Sequence, residues 1–361
     1  MKQPQNKPRG RELGLAFPGQ PGPNNAITDV PGVMVGYSTV TGENVQTGVT
    51  AILPRGKTAP PAYVWAGQHT LNGNGEMTGC HWIHDAGYFI SPICITNTHS
   101  VGMAHHGVLK WMVEHYPDFF TGKHNFVMPV IAETYDGVIN DINGLHITEA
   151  HVMEALNSAR SGPIEEGNVG GGNGMITYEF KGGTGTASRK IKLPDKSYTL
   201  GVLVQSNFGA REDLTVLGVP VGQHLTEYTV HEQMREKEFG SIIVVIATDL
   251  PLIPSQLNRI AKRASLGIGR TGTIGGHSSG DIFLAFSTAN AMTEIDSKTS
   301  TRQMEMLDDN YLNDAYRATR DAVEEAIINA MLAAQTSTSY RPEGMIVKAI
   351  DHPSLMRLML P

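Results

Sequence analysis

A Gly-Ser junction, Gly240–Ser241, stands where a charged connector meets an apolar run. His231-Glu-Gln-Met-Arg-Glu-Lys-Glu238 precedes it. Ile242-Ile-Val-Val-Ile-Ala247 follows, of strand length and rich in β-branched residues. A backbone cut at that boundary leaves the following strand whole. Ser241 then carries a hydroxyl nucleophile and a free α-amine, whose pKa of about 7.7–8.0 suits a base at neutral pH. Two readings stand: a self-cleaving hydrolase with an N-terminal nucleophile, or an ordinary loop-to-strand turn, since Gly and Ser punctuate turns generally.

Other residue groups also carry the types that chemistry needs. Gly276-His-Ser-Ser-Gly280 fits G-x-S-x-G, but the nucleophile elbow needs a strand before its serine and a helix after it. Here a glycine-rich loop precedes and the apolar Asp281-Ile-Phe-Leu-Ala-Phe286 follows, so the context is reversed. His277, Ser278, Ser279 and Asp281 then read either as a pinned site loop or as a polar turn. Asn207 ends the apolar run Thr199–Gln205, where a carboxamide can donate to a developing oxyanion or simply cap a turn. Glu133-Thr-Tyr-Asp-Gly137 closes another apolar run, and Tyr135 there can meet a substrate or cover the core edge.

Metal and nucleotide chemistry fare poorly. His81, His84 and Asp85, or His99 with His105 and His106, match no compact zinc spacing, so no metal is expected. Gly170-Gly-Gly-Asn-Gly174 leads into Ile176-Thr-Tyr-Glu-Phe180, a strand pattern, whereas phosphate binding needs a helix N-terminus after the loop. Gly56-Lys57-Thr58 lacks the upstream glycine of a Walker motif, because position 51 is Ala. No cofactor is expected.

These residues must be positioned by a fold that the rest of the chain describes. The 361 residues are 40% hydrophobic and 17% charged, with net charge −7, which fits a globular protein without a nucleic-acid surface. Cys80 and Cys94 are too few for a disulfide framework and read as reduced packing residues. No run of about 18 apolar residues and no leader pattern is visible, so a cytoplasmic protein off the membrane is expected. The 40 glycines exceed the usual share of about 7% and imply close backbone approaches.

Strands are predicted at 33–40, 49–53, 62–65, 92–97, 126–133, 175–180, 199–205, 241–248, 281–288 and 344–350. Helices are predicted at 108–115, 147–156, 255–264 (capped by Ser255) and 309–334. Residues 72–75 read as a turn and 221–240 as a polar connector. Strands and helices in mixed order point to an α+β layered sandwich, sheets inside and helices outside.

Taken together, these segments resemble the family of self-processing aminopeptidases that includes the L-aminopeptidase D-Ala-esterase/amidases and the β-peptidyl aminopeptidases, peptidase family S58. The match runs through nearly the whole chain: Asn24-Asn-Ala-Ile-Thr-Asp-Val30, Asn97-Thr98, Glu133-Thr-Tyr-Asp-Gly137, Gly167-Asn-Val-Gly-Gly-Gly172, Gln205-Ser-Asn-Phe-Gly209, Gly240-Ser241 and Ser278-Ser-Gly-Asp-Ile-Phe283. The resemblance implies a single four-layer αββα domain, similar to N-terminal-nucleophile hydrolases but with different connectivity. It implies cleavage at Gly240–Ser241 into an α chain, 1–240, and a β chain, 241–361.

By matching position, Ser241 would be the nucleophile and Asn207 an oxyanion donor. Ser279 and Asp281 would support the nucleophile, with Asp281 also binding a substrate ammonium, and Tyr135 and Glu133 would line the substrate site. The implied partners are a small peptide or amide and further copies of the processed pair, as a tetramer. An acyl transferase on a related scaffold, or a non-catalytic binding protein, are the alternative readings.

Overall fold

The computed structural model describes residues 7–121, 125–234, 240–292 and 300–359. Residues 235–239 of the charged connector and the first six residues of the polar arm lie outside the described residues. The main strands are β1 (Met34–Gly42), β2 (Val45–Leu53), β3 (Tyr63–Gly73), β4 (Ile93–Asn97), β5 (Val130–Thr134), β6 (Gly183–Lys192), β7 (Ser197–Asn207), β8 (Ser241–Thr248) and β9 (Gly280–Met292). The main helices are α1 (Val101–His115), α2 (Glu149–Ser158), α3 (Pro254–Gly269) and α4 (Leu312–Ala333).

The apolar run after the junction is β8, buried along its whole length. Successive side chains of a strand point to opposite faces. Ile242, Val244 and Ile246 accordingly enter one apolar cluster, and Ile243, Val245 and Ala247 another. A strand apolar on both faces belongs inside a layered stack. β8 sits between β7, antiparallel to it, and β9, parallel to it, in a six-stranded sheet completed by β6, β3 and the two-residue edge Tyr88–Phe89. β1, β2, β4 and β5 form a second, four-stranded sheet in that order.

Three apolar seams hold four layers together. Leu203, Ile243, Val245 and Leu284 meet Ile52, Ile95 and Ala132 between the sheets. Leu257, Ile260, Val323 and Ala326 of α3 and α4 cover the outer face of the six-stranded sheet. Val108, Trp111, Met112, Val152 and Leu156 of α1 and α2 cover the other sheet. At about 25 cal/mol per Å² of buried apolar surface, these seams are the main stabilising term. The order is helix, sheet, sheet, helix: the αββα sandwich. Gly185 shows what the glycines do, since a Cβ there would collide with the Ala326 carbonyl oxygen and push α4 off the sheet.

Several element boundaries differ from expectation. The run 175–180 is no strand. Tyr178 and Glu179 take positive φ of 50° and 60°, a tight reversal that pairs Ile176–Thr177 with Phe180–Lys181. Ser255 does not cap α3; the helix starts at Pro254, and Gln256 reaches back to the Ile253 N–H. The last expected strand shrinks to Ile346–Val347, and β3 runs on to Gly73, through half of the expected turn. Among the described residues no helix is long and apolar enough to cross a membrane.

Candidate active site

Ser241 opens β8 with the same alternation as Ile243 and Val245, so its side chain faces the seam between the sheets. It is 4% exposed. Its Oγ donates to the Gly240 carbonyl oxygen at 2.7 Å and accepts from the Gly280 N–H at 3.2 Å. The same Gly280 N–H also donates to the Gly240 carbonyl oxygen, again at 3.2 Å. The parallel register that sets Gly280 opposite Ser241 supplies this shared donor. Gly240 is there because nothing larger fits: a Cβ would collide with the Asn207 carbonyl oxygen and come within 2.8 Å of Phe208 Cα.

Asn207 ends β7 directly across from Ser241. Its Oδ1 accepts from the Ile176 N–H at 2.8 Å and its Nδ2 donates to the Tyr135 carbonyl at 2.9 Å. A backbone donor on one side and a backbone acceptor on the other leave the carboxamide one orientation. Tyr135, 41% exposed, lines a small cavity beside Asn207 with Val138, Ile176, Phe208 and Val230.

The glycine-pinned loop lies on the other flank. Ser279 Oγ donates to Asp281 Oδ1 at 2.6 Å, and Asn72 Nδ2 donates to Asp281 Oδ2 at 3.2 Å. Burial pushes the Asp281 carboxyl up, while hydrogen bonds from Ser279, Asn72 and the Ile242 N–H oppose the rise. Neither Ser279 nor Asp281 hydrogen-bonds to Ser241; the Gly280 N–H between them makes the contact. Asp281 is 2% exposed with both oxygens engaged.

Glu133 is the other carboxyl brought here. Its Oε1 accepts from the Glu76 N–H at 2.8 Å, and its Oε2 accepts from Thr98 Oγ1. Burial pushes its pKa up, the Thr98 and Glu76 hydrogen bonds working against that. Gly75 packs beside both Glu133 and Gly280, since a Cβ on Gly75 would lie 3.2 Å from Glu133 Oε1 and 3.3 Å from Gly280 Cα.

Ser241, Asn207, Ser279, Asp281, Glu133 and Tyr135 thus gather around one strand end. Among the described residues no group of three or more His, Cys, Asp or Glu side chains could hold a metal. Cys80 and Cys94 are free, and burial pushes both thiols up to about 12. Sequence reasoning missed the backbone donors at Gly280 and Ile176, which have no side-chain signal. It also missed Asn72, which reads as part of a turn.

Comparisons with known proteins identify the family and the fold. The profile of peptidase family S58 matches residues 25–343. A β-peptidyl aminopeptidase, BapA, of Sphingosinicella microcystinivorans is 46% identical, over 98% of this chain and 92% of that one. The BapA of Sphingosinicella xenopeptidilytica is 40% identical, over 98% and 91%. The structure of the L-aminopeptidase D-Ala-esterase/amidase from Ochrobactrum anthropi, a variant of the Ntn hydrolase fold, superposes with a TM-score of 0.94 at 52% identity, covering 98% of both chains.

Proposed function

Because this chain belongs to peptidase family S58, and is an aminopeptidase by that membership, we propose that Ser241 is its nucleophile, released when the chain cuts its own backbone after Gly240. One observation carries the reading: Ser241 Oγ and the Gly240 carbonyl oxygen lie 2.7 Å apart and share the Gly280 N–H. Attack of Oγ on the Gly240 carbonyl carbon forms a tetrahedral centre whose oxyanion that N–H stabilises. The C–N bond breaks as the Oγ proton passes to the Ser241 nitrogen, leaving an ester. Water hydrolyses the ester to a Gly240 carboxylate and a free Ser241. The products are an α chain, 1–240, and a β chain of 121 residues, 361 − 240.

In turnover the same Oγ attacks the acyl carbon of a substrate's N-terminal residue. The Ser241 α-amine takes the proton, a contribution of about 10²–10⁴ in rate, and returns it to the leaving amine or alcohol as the scissile bond breaks; water then hydrolyses the acyl-enzyme. Asn207 Nδ2 has a second N–H beyond the one given to Tyr135, and this serves the oxyanion of the acyl-enzyme step. The buried acidic groups Glu133 and Asp281 supply the negative charge that attracts the substrate ammonium, which restricts action to free N-termini. Tyr135 covers the leaving side. Substrates are short peptides, amides or esters, in keeping with relatives named for β-peptides and for D-Ala esters and amides.

An acylating inhibitor tests the nucleophile. Label on Ser241 of the processed protein, with loss of aminopeptidase activity in proportion, is the expected result. Full inactivation with the label on another residue would overturn the assignment.

A further inference from the structure

The loop at 275–279 delivers the Gly280 N–H, yet the sheet alone does not set it. Pairing between β9 and β3 shifts register between Asp281 and Ile282, an irregularity at the very residues that flank the junction. What holds the loop is the tip of β3. Asn72 Nδ2 donates to the Gly275 carbonyl at 3.0 Å, the Gly276 carbonyl at 3.1 Å and Asp281 Oδ2 at 3.2 Å. Asn74 Nδ2 donates to the Ser278 carbonyl at 2.6 Å, and its N–H to the Ser279 carbonyl at 3.4 Å. Gly280 is packed against the same tip, for a Cβ there would collide with the Asn74 carbonyl oxygen.

We infer that Asn72 and Asn74 are positioning residues for self-cleavage: their carboxamides fix the loop that aims the Gly280 N–H at the Gly240 carbonyl oxygen. The inference rests on the proposed self-cleavage and deepens it. Neither side chain touches the reacting atoms. Every side-chain contact runs from an amide donor to a carbonyl or carboxylate acceptor, so the clamp needs donors and not merely bulk. A displacement of about 1 Å at a reacting centre costs on the order of 10² in rate. Asn207 is independent of this clamp, because backbone groups of Tyr135 and Ile176 hold it.

Isosteric Asn72→Asp keeps the shape, removes the donors and sets a carboxylate against Asp281. The other titratable groups brought here are Glu133, from β5 across Gly75, and His277 on the loop. The experiment follows cleavage of freshly made full-length chain by intact mass, as a ratio to wild type, at pH 8 and pH 5, for Asn72→Asp, Asn72→Ala and Asn74→Asp, with Tm measured for each. At pH 8, Asn72→Asp should cleave about 10²-fold more slowly, Asn72→Ala somewhat less so, and Asn74→Asp several-fold more slowly. At pH 5 the Asn72→Asp ratio alone should recover at least tenfold, as a proton on the introduced carboxyl restores a donor.

A purely structural role would slow Asn72→Asp and Asn72→Ala alike at both pH values, and that result, or wild-type rates in all three, overturns the inference. Should the position 72 variants fail to fold, Asn74→Asp at the exposed tip decides: slowed cleavage with an unchanged Tm supports the clamp, and an unchanged rate overturns it. Wild-type chain that never cleaves after Gly240 would instead defeat the proposed function, a separable outcome.

Discussion

The two flanks of Ser241 are built differently. On the β7 flank, Asn207 is fixed by main-chain groups, the Ile176 N–H and the Tyr135 carbonyl, and is 6% exposed. On the β9 flank, the loop ending at Gly280 is fixed by carboxamides from a solvent-facing strand tip. Main-chain support survives most side-chain changes, provided the chain can still trace the same path. Side-chain support fails with a single substitution. The β7 flank is therefore the robust half of the site, and the β9 flank the adjustable one.

Substitutions on the two flanks can break this contrast. The largest effect is expected at the junction between them: Gly240→Val collides with the Asn207–Phe208 backbone and should abolish self-cleavage, read as a single full-length mass. Next is Asn207→Ala, which removes the proposed turnover oxyanion donor. It should lower kcat of processed protein by about 10²–10³, or roughly 3–4 kcal/mol of transition-state stabilisation, with much less effect on the cleavage rate, since Gly280 serves that step. Equal losses in both rates would mean that one donor set serves both. Smaller again is Tyr135→Ala. Because the Tyr135 carbonyl and not its ring holds Asn207, kcat should stay within several-fold of wild type while KM rises. A collapse in kcat would show that the ring itself orders the flank.

A last test, read in stability and not in rate, probes what underlies the β7 flank. Asp136, next to Tyr135, is 1% exposed, and burial pushes its carboxyl up to about 6, against hydrogen bonds from Thr47, Asn140 and Asn97. A carboxyl whose folded pKa is raised contributes stability that is full below its ordinary value and lost as pH rises through about 6. Wild-type Tm should therefore fall from pH 4.5 to pH 8 by more than that of Asp136→Asn, a difference of about 2 kcal/mol in stability. Parallel pH curves would remove Asp136 from the account.

How much was legible follows from the same contrast. The run 242–247 could be read as a buried strand because apolar residues fill both of its faces, and the Gly-Ser step before it marked the junction. Asn207, Glu133 and Asp281 were visible as polar residues ending or starting apolar runs. The pairing of Ser241 with Gly280 was not, since it depends on a parallel register between strands separated by a helix. The reversal at Tyr178–Glu179 was hidden because neither residue advertises positive φ, although it supplies the Ile176 N–H that orients Asn207. Asn72 was misread as a turn residue because β3 outlasts its apolar pattern to reach the loop.

Intact-mass spectrometry of wild-type protein beside Ser241→Ala addresses the central claim most directly. Wild type should give two masses that divide the sequence between Gly240 and Ser241, and Ser241→Ala one full-length mass with no aminopeptidase activity. A fully active wild type of undivided mass, or a Ser241→Ala chain that still splits at that bond, would contradict it.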